Sequence, residues 1–229
     1  PFFHMQSFAQ CHESSLHFPA KLMENEKTKT PVDKVRLHPY HPDTPTFRYT
    51  HARYFDRMTV VDELIGKVVA NLAADGLLED TFVFYFGDHG GVLPRGKGYA
   101  YESGLHVPLV VRIPKNFKNL ADHERGTRTD GFVSFIDFGP TVLNLAGIDP
   151  PKQIDGKAFL GKGTTAESLA AQDEAFGYAD RFDEKYDFVR TLRKGKWKYA
   201  RNYQAFYPDG LQNNYRYRML AFSEWRKLY

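Results

Sequence analysis

The chain has 229 residues, of which 42% are hydrophobic, enough to build a core. No apolar run is long enough to span a membrane, and 31 Lys and Arg against 28 Asp and Glu give a net charge of +3, too small to indicate nucleic acid or a membrane as a partner. The single cysteine, Cys11, excludes a disulfide within the chain, and we expect it to be a packing residue rather than a nucleophile.

A long amphipathic helix is predicted between positions 52 and 73. Its apolar residues recur at the spacing of one helical face, which indicates a helix that packs on a sheet. They are Met58, Val61, Leu64, Ile65, Val68 and Leu72. Asp75-Gly76 is expected to end the helix, because glycine accepts the left-handed conformation that closes a last turn.

A buried strand is predicted next, at residues 81–86. This run of β-branched and aromatic residues lacks polar alternation, which is typical of a strand covered on both faces in a parallel sheet. Asp88 and His89 follow at its carboxyl end, where ligands bind in open α/β sheets. They are a candidate metal site. The alternative is an ordinary turn in which Asp88 bonds its own backbone and His89 is incidental.

Glycines surround this pair, and a lysine follows it. Gly87, Gly90 and Gly91 are predicted to let the main chain approach a ligand closely. Lys97, in a Gly-Lys-Gly loop, carries a mobile positive charge suited to a tetrahedral oxyanion. The alternative is a solvated loop lysine. The histidines at positions other than 12 and 89 are predicted to be mostly loop or surface residues.

The second half of the chain completes an α/β pattern. A helix is predicted within residues 133–147, and it starts either at a Ser134/Asp137 capping box or at Gly139-Pro140. The order helix, strand, loop, strand, helix predicts an α/β fold class, with a mixed, mostly parallel sheet and helices on both faces. A last core strand is expected at residues 176–178.

Residues 190–203, RTLRKGKWKYARNY, predict a β-hairpin with Gly195 in its turn and its charges facing water. The same segment is rich in cations and aromatic rings, on which an anionic polymer could lie with sugar rings or bases stacked on the aromatic side chains. The two interpretations are compatible. The residues concerned are Arg190, Arg193, Lys194, Lys196, Trp197, Lys198, Tyr199, Arg201 and Tyr203.

The segment 81–114 resembles the sulfatase family, within the alkaline-phosphatase-like superfamily. Members carry a strand, then Asp-Asn-Gly or Asp-His-Gly, then Lys-Gly-x-x-Tyr-Glu-x-Gly-x-x-x-Pro. This sequence has Asp88-His89-Gly90 and then KGYAYESGLHVP at 97–108. Residues 1–12 resemble the family's strand that ends in an active-site histidine, here His12. Residues 198–203 and 224–229 resemble the carbohydrate-directed members related to N-sulfoglucosamine sulfohydrolase.

The resemblance implies two domains. Residues 1–184 would be the C-terminal portion of the α/β sulfatase catalytic domain, and residues 185–229 the start of a small C-terminal antiparallel subdomain. The substrate would be a sulfated carbohydrate, and the location of the enzyme secreted, periplasmic or lysosomal.

The resemblance also implies the chemistry. Related sulfatases use a cysteine oxidised to formylglycine, held on a Ca²⁺ ion to which Asp88 and His89 would contribute. Ca²⁺ prefers hard oxygen ligands, which suits Asp88, whereas the nitrogen of His89 suits Zn²⁺ or Mn²⁺ better. Lys97 would bind a sulfate oxygen and oppose the charge that develops on the ester oxygen. His12 would protonate the leaving alcohol, or would act only as a neutral hydrogen-bond donor.

The modified-cysteine motif and the early paired metal aspartates of the family have no counterpart here, since Cys11 stands in the different context CHESS. We therefore expect a missing N-terminal half that supplies the formylglycine and the other metal ligands. Two further hypotheses stay open. One is a phosphoester or phosphonate monoester hydrolase of the same superfamily, and the other is a catalytically inactive remnant that binds sulfated glycans.

Overall fold

The computed structural model describes residues 2–206 and 213–228, a mixture of helices and short strands. The α-helices are α1 (Ala20–Asn25), α2 (Pro45–Ala74), α3 (Glu102–Leu105), α4 (Phe138–Leu145), α5 (Ala166–Ala170) and α6 (Leu220–Leu228). The strands are β1 (Val83–Phe86), β2 (Leu109–Arg112), β3 (Glu174–Phe182), β4 (Lys185–Lys194) and β5 (Trp197–Asn202). Within the described ranges, no helix combines the length and the apolar character needed to cross a bilayer.

Helix α2 confirms the predicted amphipathic helix but begins seven residues earlier than position 52, at Pro45. The Thr44 side chain accepts a hydrogen bond from the Phe47 backbone N–H at 3.3 Å, and proline follows at the first helical position, so the two residues together start the helix. Gly76, with a φ of 70°, ends it as predicted. The predicted apolar face is buried at Val61 and half-buried along the rest of its length.

Strands β1 and β2 run antiparallel, with Phe86 opposite Leu109 and Val83 opposite Arg112, so this pair does not show the parallel arrangement predicted for β1. The segment that joins them returns to the edge from which it left, and the Gly87 N–H donates to the Pro108 carbonyl at 3.3 Å. A parallel partner would require the chain to cross to the far end of β1. Strand β1 is half-buried along its whole length rather than fully buried.

The N-terminal segment differs from the predicted strand. None of residues 2–9 belongs to a strand, and Phe2, Phe3 and Met5 are exposed. A strand needs a neighbour that pairs with its backbone groups, and the two described sheets do not include this segment. Pro1 and Tyr229 lie outside the described residues. They are the outer ends of the first and last segments that resemble the family.

Strands β3, β4 and β5 form an antiparallel sheet in that order. The predicted hairpin at 190–203 is confirmed, since Lys194 pairs with Trp197 and Gly195 occupies the turn with a φ of 50°. The strand expected at 176–178 is confirmed as part of β3, but its expected place in the core is wrong, because Phe176 and Tyr178 are exposed at 78% and 69%. The proposed domain boundary at 184 falls on the β3–β4 turn.

The predicted capping box is confirmed at Ser134 and Asp137, which start a 3₁₀ turn that runs into α4.

Two buried clusters form the described core. The first cluster joins α2 and α6 to the segment between β1 and β2 (residues 87–108), which we call the loop after β1. Its residues are Leu16, Phe47, Val92, Leu93, Tyr99, Met219, Ala221, Phe222 and Trp225. The second consists of Phe159, Leu160 and Leu169, against which β1, β2 and α4 pack.

A carboxylate connects the loop to the three-stranded sheet. Glu102, at the start of α3, accepts from Arg193 Nη1 at 2.5 Å and from Lys198 Nζ at 2.8 Å. Burial alone would raise the pKa of Glu102, but Lys198, Arg193 and His106 together outweigh it and lower the pKa. Glu102, the glutamate of the motif, therefore fastens the loop to β4 and β5.

Two buried histidines, His41 and His51, also support this loop, and His51, which lies in α2, is an exception to the expectation of mostly loop or surface histidines. His41 and His51 are 7% and 1% exposed. His41 Nε2–H donates to the Pro94 carbonyl at 2.8 Å, so its Nδ1 accepts from His51 Nε2–H at 2.9 Å. Burial lowers the pKa of His41 to about 4 and that of His51 to about 3, which keeps both rings neutral.

The buried histidines predict an acid-sensitive fold. Each has a pKa of 6.5 when unfolded and a lower one when folded, so its stabilising effect is present above pH 6.5 and is lost as the pH falls to about 4 for His41 and about 3 for His51. At about pH 5 the loss is about 2 kcal/mol per histidine. In urea unfolding at a series of pH values, His51→Gln, which keeps a donor toward His41, should reduce this pH dependence by about half. His4→Gln at an exposed position should retain it, and an unchanged dependence in His51→Gln would contradict the assignment.

The Glu102 contacts predict a measurable contribution to stability. Glu102→Gln removes the charge that pairs with Arg193 and Lys198, and because the side chain is 44% exposed, solvent screening limits the expected loss to about 1 kcal/mol. Thermal unfolding at low and high salt measures it, and the difference from the wild type should shrink at high salt. Glu24→Gln, at an exposed position in α1, is the control. An equal effect of both substitutions would contradict a stabilising role for the contacts of Glu102 with Arg193 and Lys198.

Candidate active site

The Asp88–His89 pair lies immediately after β1, as the sequence predicts. The Asp88 side chain is 84% exposed and that of His89 is 31% exposed. The Gly90 carbonyl can only accept, so His89 Nδ1–H donates to it at 2.9 Å. In the neutral ring this leaves the Nε2 lone pair 3.4 Å from Asp88 Oδ1. Two acceptors that face each other in this way suit a shared cation.

This arrangement fits part of a metal site. A histidine that binds a metal through one nitrogen usually donates the other N–H to a carbonyl or carboxylate, as His89 does. Across residues 2–206 and 213–228, no group of three or more His, Cys, Asp or Glu side chains is placed to hold a metal. Asp88 and His89 would therefore supply only some of the ligands.

Lys97 lies in the interior of the loop. Its backbone N–H donates to the Gly91 carbonyl at 2.8 Å, which ties it to the segment that follows His89. Its side chain is 17% exposed, and Nζ stands 3.7 Å from Glu13 Oε2. In the described part of the chain Nζ makes no hydrogen bond, so its N–H groups are free for an incoming acceptor.

Three glycines of the loop allow its own backbone segments to pack closely together. A Cβ on Gly90, Gly96 or Gly104 would lie 2.0, 1.9 and 2.1 Å from a backbone oxygen of the loop itself. The Gly90 N–H also donates to the Gly104 carbonyl at 3.0 Å. These glycines therefore allow the loop to pack backbone against backbone, which makes it compact and holds Lys97 in place.

His12 caps the 3₁₀ turn Glu13–Leu16. Its Nδ1 accepts from the Ser14 backbone N–H at 3.2 Å. A backbone N–H can only donate, so in the neutral ring the proton resides on Nε2. The half-buried ring thus has an N–H donor that is not used by its own turn.

The neighbours of His12 in sequence place it beside the other predicted residues. Glu13 contacts Lys97. On the other side, burial and the Asp88 carboxylate raise the pKa of the Cys11 thiol, so Cys11 lies within electrostatic reach of Asp88. The structure thereby gathers the four predicted residues into one region. The raised pKa also keeps Cys11 a thiol, which agrees with a packing role.

Sequence reasoning missed two residues of this region, Glu13 and Arg216. Glu13 is 1% exposed and Arg216 is 2% exposed. Arg216 Nε is 3.7 Å from Glu13 Oε1, and the guanidinium donates to the Lys97 carbonyl. Neither residue belongs to a motif, and charged residues are usually exposed. Only the tertiary contacts identify them.

A family model and several known proteins match parts of this chain. The family model described as Sulfatase matches residues 1–148. An ulvan-active sulfatase of Formosa agariphila is 32% identical over 259 residues, which covers 100% of this chain and 42% of that protein. Human N-acetylglucosamine-6-sulfatase is 38% identical over 106 residues, covering 44% of this chain and 18% of that protein.

The structural comparison supports the fold. A putative sulfatase from Bacteroides fragilis aligns with a TM-score of 0.59 at 21% identity, over 83% of this chain and 42% of that one. The chain thus spans less than half the length of these relatives. With the family match extending over residues 1–148 and with the Asp-His-Gly and Lys-Gly-x-x-Tyr-Glu segments folded into a single site, the chain belongs to the sulfatase family.

Proposed function

We propose that the whole protein is a sulfuric ester hydrolase that removes sulfate from a sulfated carbohydrate. The observation that carries the proposal is Lys97, a largely buried ammonium with no hydrogen bond in the described residues, next to the Asp88–His89 pair. The names of two relatives, an ulvan-active sulfatase and an N-acetylglucosamine-6-sulfatase, support a carbohydrate substrate.

The proposal includes parts that this chain does not carry. An N-terminal half would supply the formylglycine nucleophile and the remaining metal ligands. It would also complete a mostly parallel sheet with helices on both faces, in which residues 1–184 form the C-terminal portion of the catalytic domain and residues 185–229 begin the small subdomain. From the family resemblance we also propose a secreted, periplasmic or lysosomal location.

Lys97 and His12 would act on opposite parts of the sulfate ester. The free N–H groups of Lys97 would donate to a sulfate oxygen, an interaction that accelerates the reaction to the extent that it strengthens in the transition state. His12 Nε2–H would donate a hydrogen bond to the ester oxygen and oppose the negative charge that develops there as the alcohol leaves. Because the Ser14 N–H occupies Nδ1, the ring is held with Nε2 as its donor.

Asp88 and His89 would hold a divalent cation, for which we propose Ca²⁺. When bound, such an ion withdraws charge from a sulfate oxygen and orients the nucleophile. The carboxylate of Asp88 suits Ca²⁺, and the nitrogen of His89 suits Zn²⁺ or Mn²⁺. His89 is therefore the observation that favours the second candidate function, hydrolysis of a phosphoester or phosphonate monoester.

Removing either donor should reduce turnover in the full-length protein. Lys97→Ala and His12→Ala are each expected to lower kcat by about a hundredfold or more, as the loss of an oxyanion donor does. Release of inorganic sulfate from sulfated oligosaccharides measures the effect. Lys67→Ala, an exposed position on α2, should leave turnover unchanged. Near-normal activity of Lys97→Ala would remove Lys97 from the mechanism.

Metal content separates the candidate functions. We expect the purified full-length protein to contain Ca²⁺ by elemental analysis, and Asp88→Asn to lose most of it together with sulfate ester turnover. Zn²⁺ or Mn²⁺ with turnover of phosphonate monoesters would favour the second function instead. A protein that retains sulfated glycans without turnover of either ester would be the inactive binding remnant.

A further inference from the structure

Glu13 is a buried carboxylate that the reaction outlined above does not use. It is 1% exposed, and in the described residues neither of its oxygens has a hydrogen-bond partner. A cation stands on each side, with Lys97 Nζ 3.7 Å from Oε2 and Arg216 Nε 3.7 Å from Oε1. In this environment the carboxylate is stabilised by its attraction to the two cations and, among the described residues, by no hydrogen bond. Removal of the carboxylate would leave the two positive charges close together with no negative charge between them.

The two cations are held differently. The Arg216 guanidinium lies over the rings of Tyr99 at 4.7 Å and Phe182 at 4.6 Å, and it donates to the Lys97 carbonyl. Its side chain is 3% exposed, so it is fixed from several directions. The Lys97 side chain is 17% exposed and reaches toward solvent. Arg216 therefore anchors Glu13, and Glu13 in turn locates the less buried Lys97 ammonium.

The separation of 3.7 Å between Lys97 Nζ and Glu13 Oε2 exceeds the usual hydrogen-bond distance. At this separation the carboxylate attracts the ammonium but does not accept its hydrogens. A shorter contact would compete with the oxygens of a sulfate group for the same N–H donors. The geometry thus restrains the position of Lys97 and leaves its donors unused.

We propose that Glu13 is a positioning residue that holds the Lys97 ammonium beside His12 with its N–H groups free for a sulfate oxygen. The proposal rests on the proposed function, in which this site hydrolyses a sulfate ester. Glu13 directly follows His12 in sequence, so the same turn that orients the His12 ring also fixes the charge that locates Lys97. The residue acts through Lys97 and does not contact substrate.

A double-mutant cycle tests this coupling in the full-length protein. Glu13→Gln should lower kcat by about tenfold in the wild-type background and by less than about twofold in the Lys97→Ala background, because there is no longer an ammonium to position. Glu13→Asp, which keeps the charge, should recover part of the loss. Glu63→Gln, an exposed position on α2, is the matched control. Equal effects of Glu13→Gln in both backgrounds would mean that Glu13 only stabilises the fold.

A second measurement does not depend on turnover. In the chain described here, Lys97 and Lys198 have similar side-chain exposure, 17% and 19%, and each contacts a carboxylate. Amine-reactive labelling read by mass spectrometry should become several-fold faster at Lys97 in Glu13→Gln and stay unchanged at Lys198. Unchanged labelling at Lys97 would overturn the proposal.

The outcomes distinguish the two proposals. A wild-type protein without sulfate ester turnover refutes the proposed function, and the labelling experiment still decides whether Glu13 locates Lys97. If Glu13→Gln does not fold, Glu13→Asp in the wild-type and Lys97→Ala backgrounds completes the same cycle, with a smaller expected loss that again must vanish without Lys97.

Discussion

The buried charge contact between Glu13, Lys97 and Arg216 joins three segments that are far apart in sequence, and the geometry of the site depends on it. A carboxylate loses its hydration when it is buried, so it must lie against cations to remain there. This requirement brings the N-terminal turn, the loop after β1 and the C-terminal 3₁₀ turn Arg216–Arg218 to one place. The turn that carries His12 is held against the loop that carries Lys97 through Glu13, the residue that follows His12.

The loop after β1 is glycine-rich, and ordering such a chain costs conformational entropy. The structure offsets this cost with contacts on every side. Val92 and Leu93 lie in the first core cluster, His41 binds the Pro94 carbonyl, and Glu102 joins the loop to Arg193 and Lys198. An active site that stabilises its transition state by electrostatics requires a rigid loop, because the charges must already be in position when the reaction begins.

The antiparallel pairing of β1 with β2 and the irregular backbone of residues 2–9 have one common cause. Strand pairing is decided by which segments lie side by side, and the periodicity of a single strand carries no information about its neighbours. The exposed rings of Phe176, Tyr178 and Trp197 illustrate the same limit. An aromatic-rich strand fits a buried sheet and a solvent-facing one equally well by composition.

The sequence by itself determined most of the local elements and predicted the residues of the candidate site. Helix α2, the hairpin at Gly195 and the Ser134 cap follow from periodicity, turn residues and capping, which are local properties. Asp88, His89, Lys97 and His12 follow from the spacing of a motif. Only the tertiary structure decided that Glu13 and Arg216 are buried beside Lys97 and that His41 and His51 are neutral, because burial and charge pairing depend on contacts between distant segments, which no local pattern records.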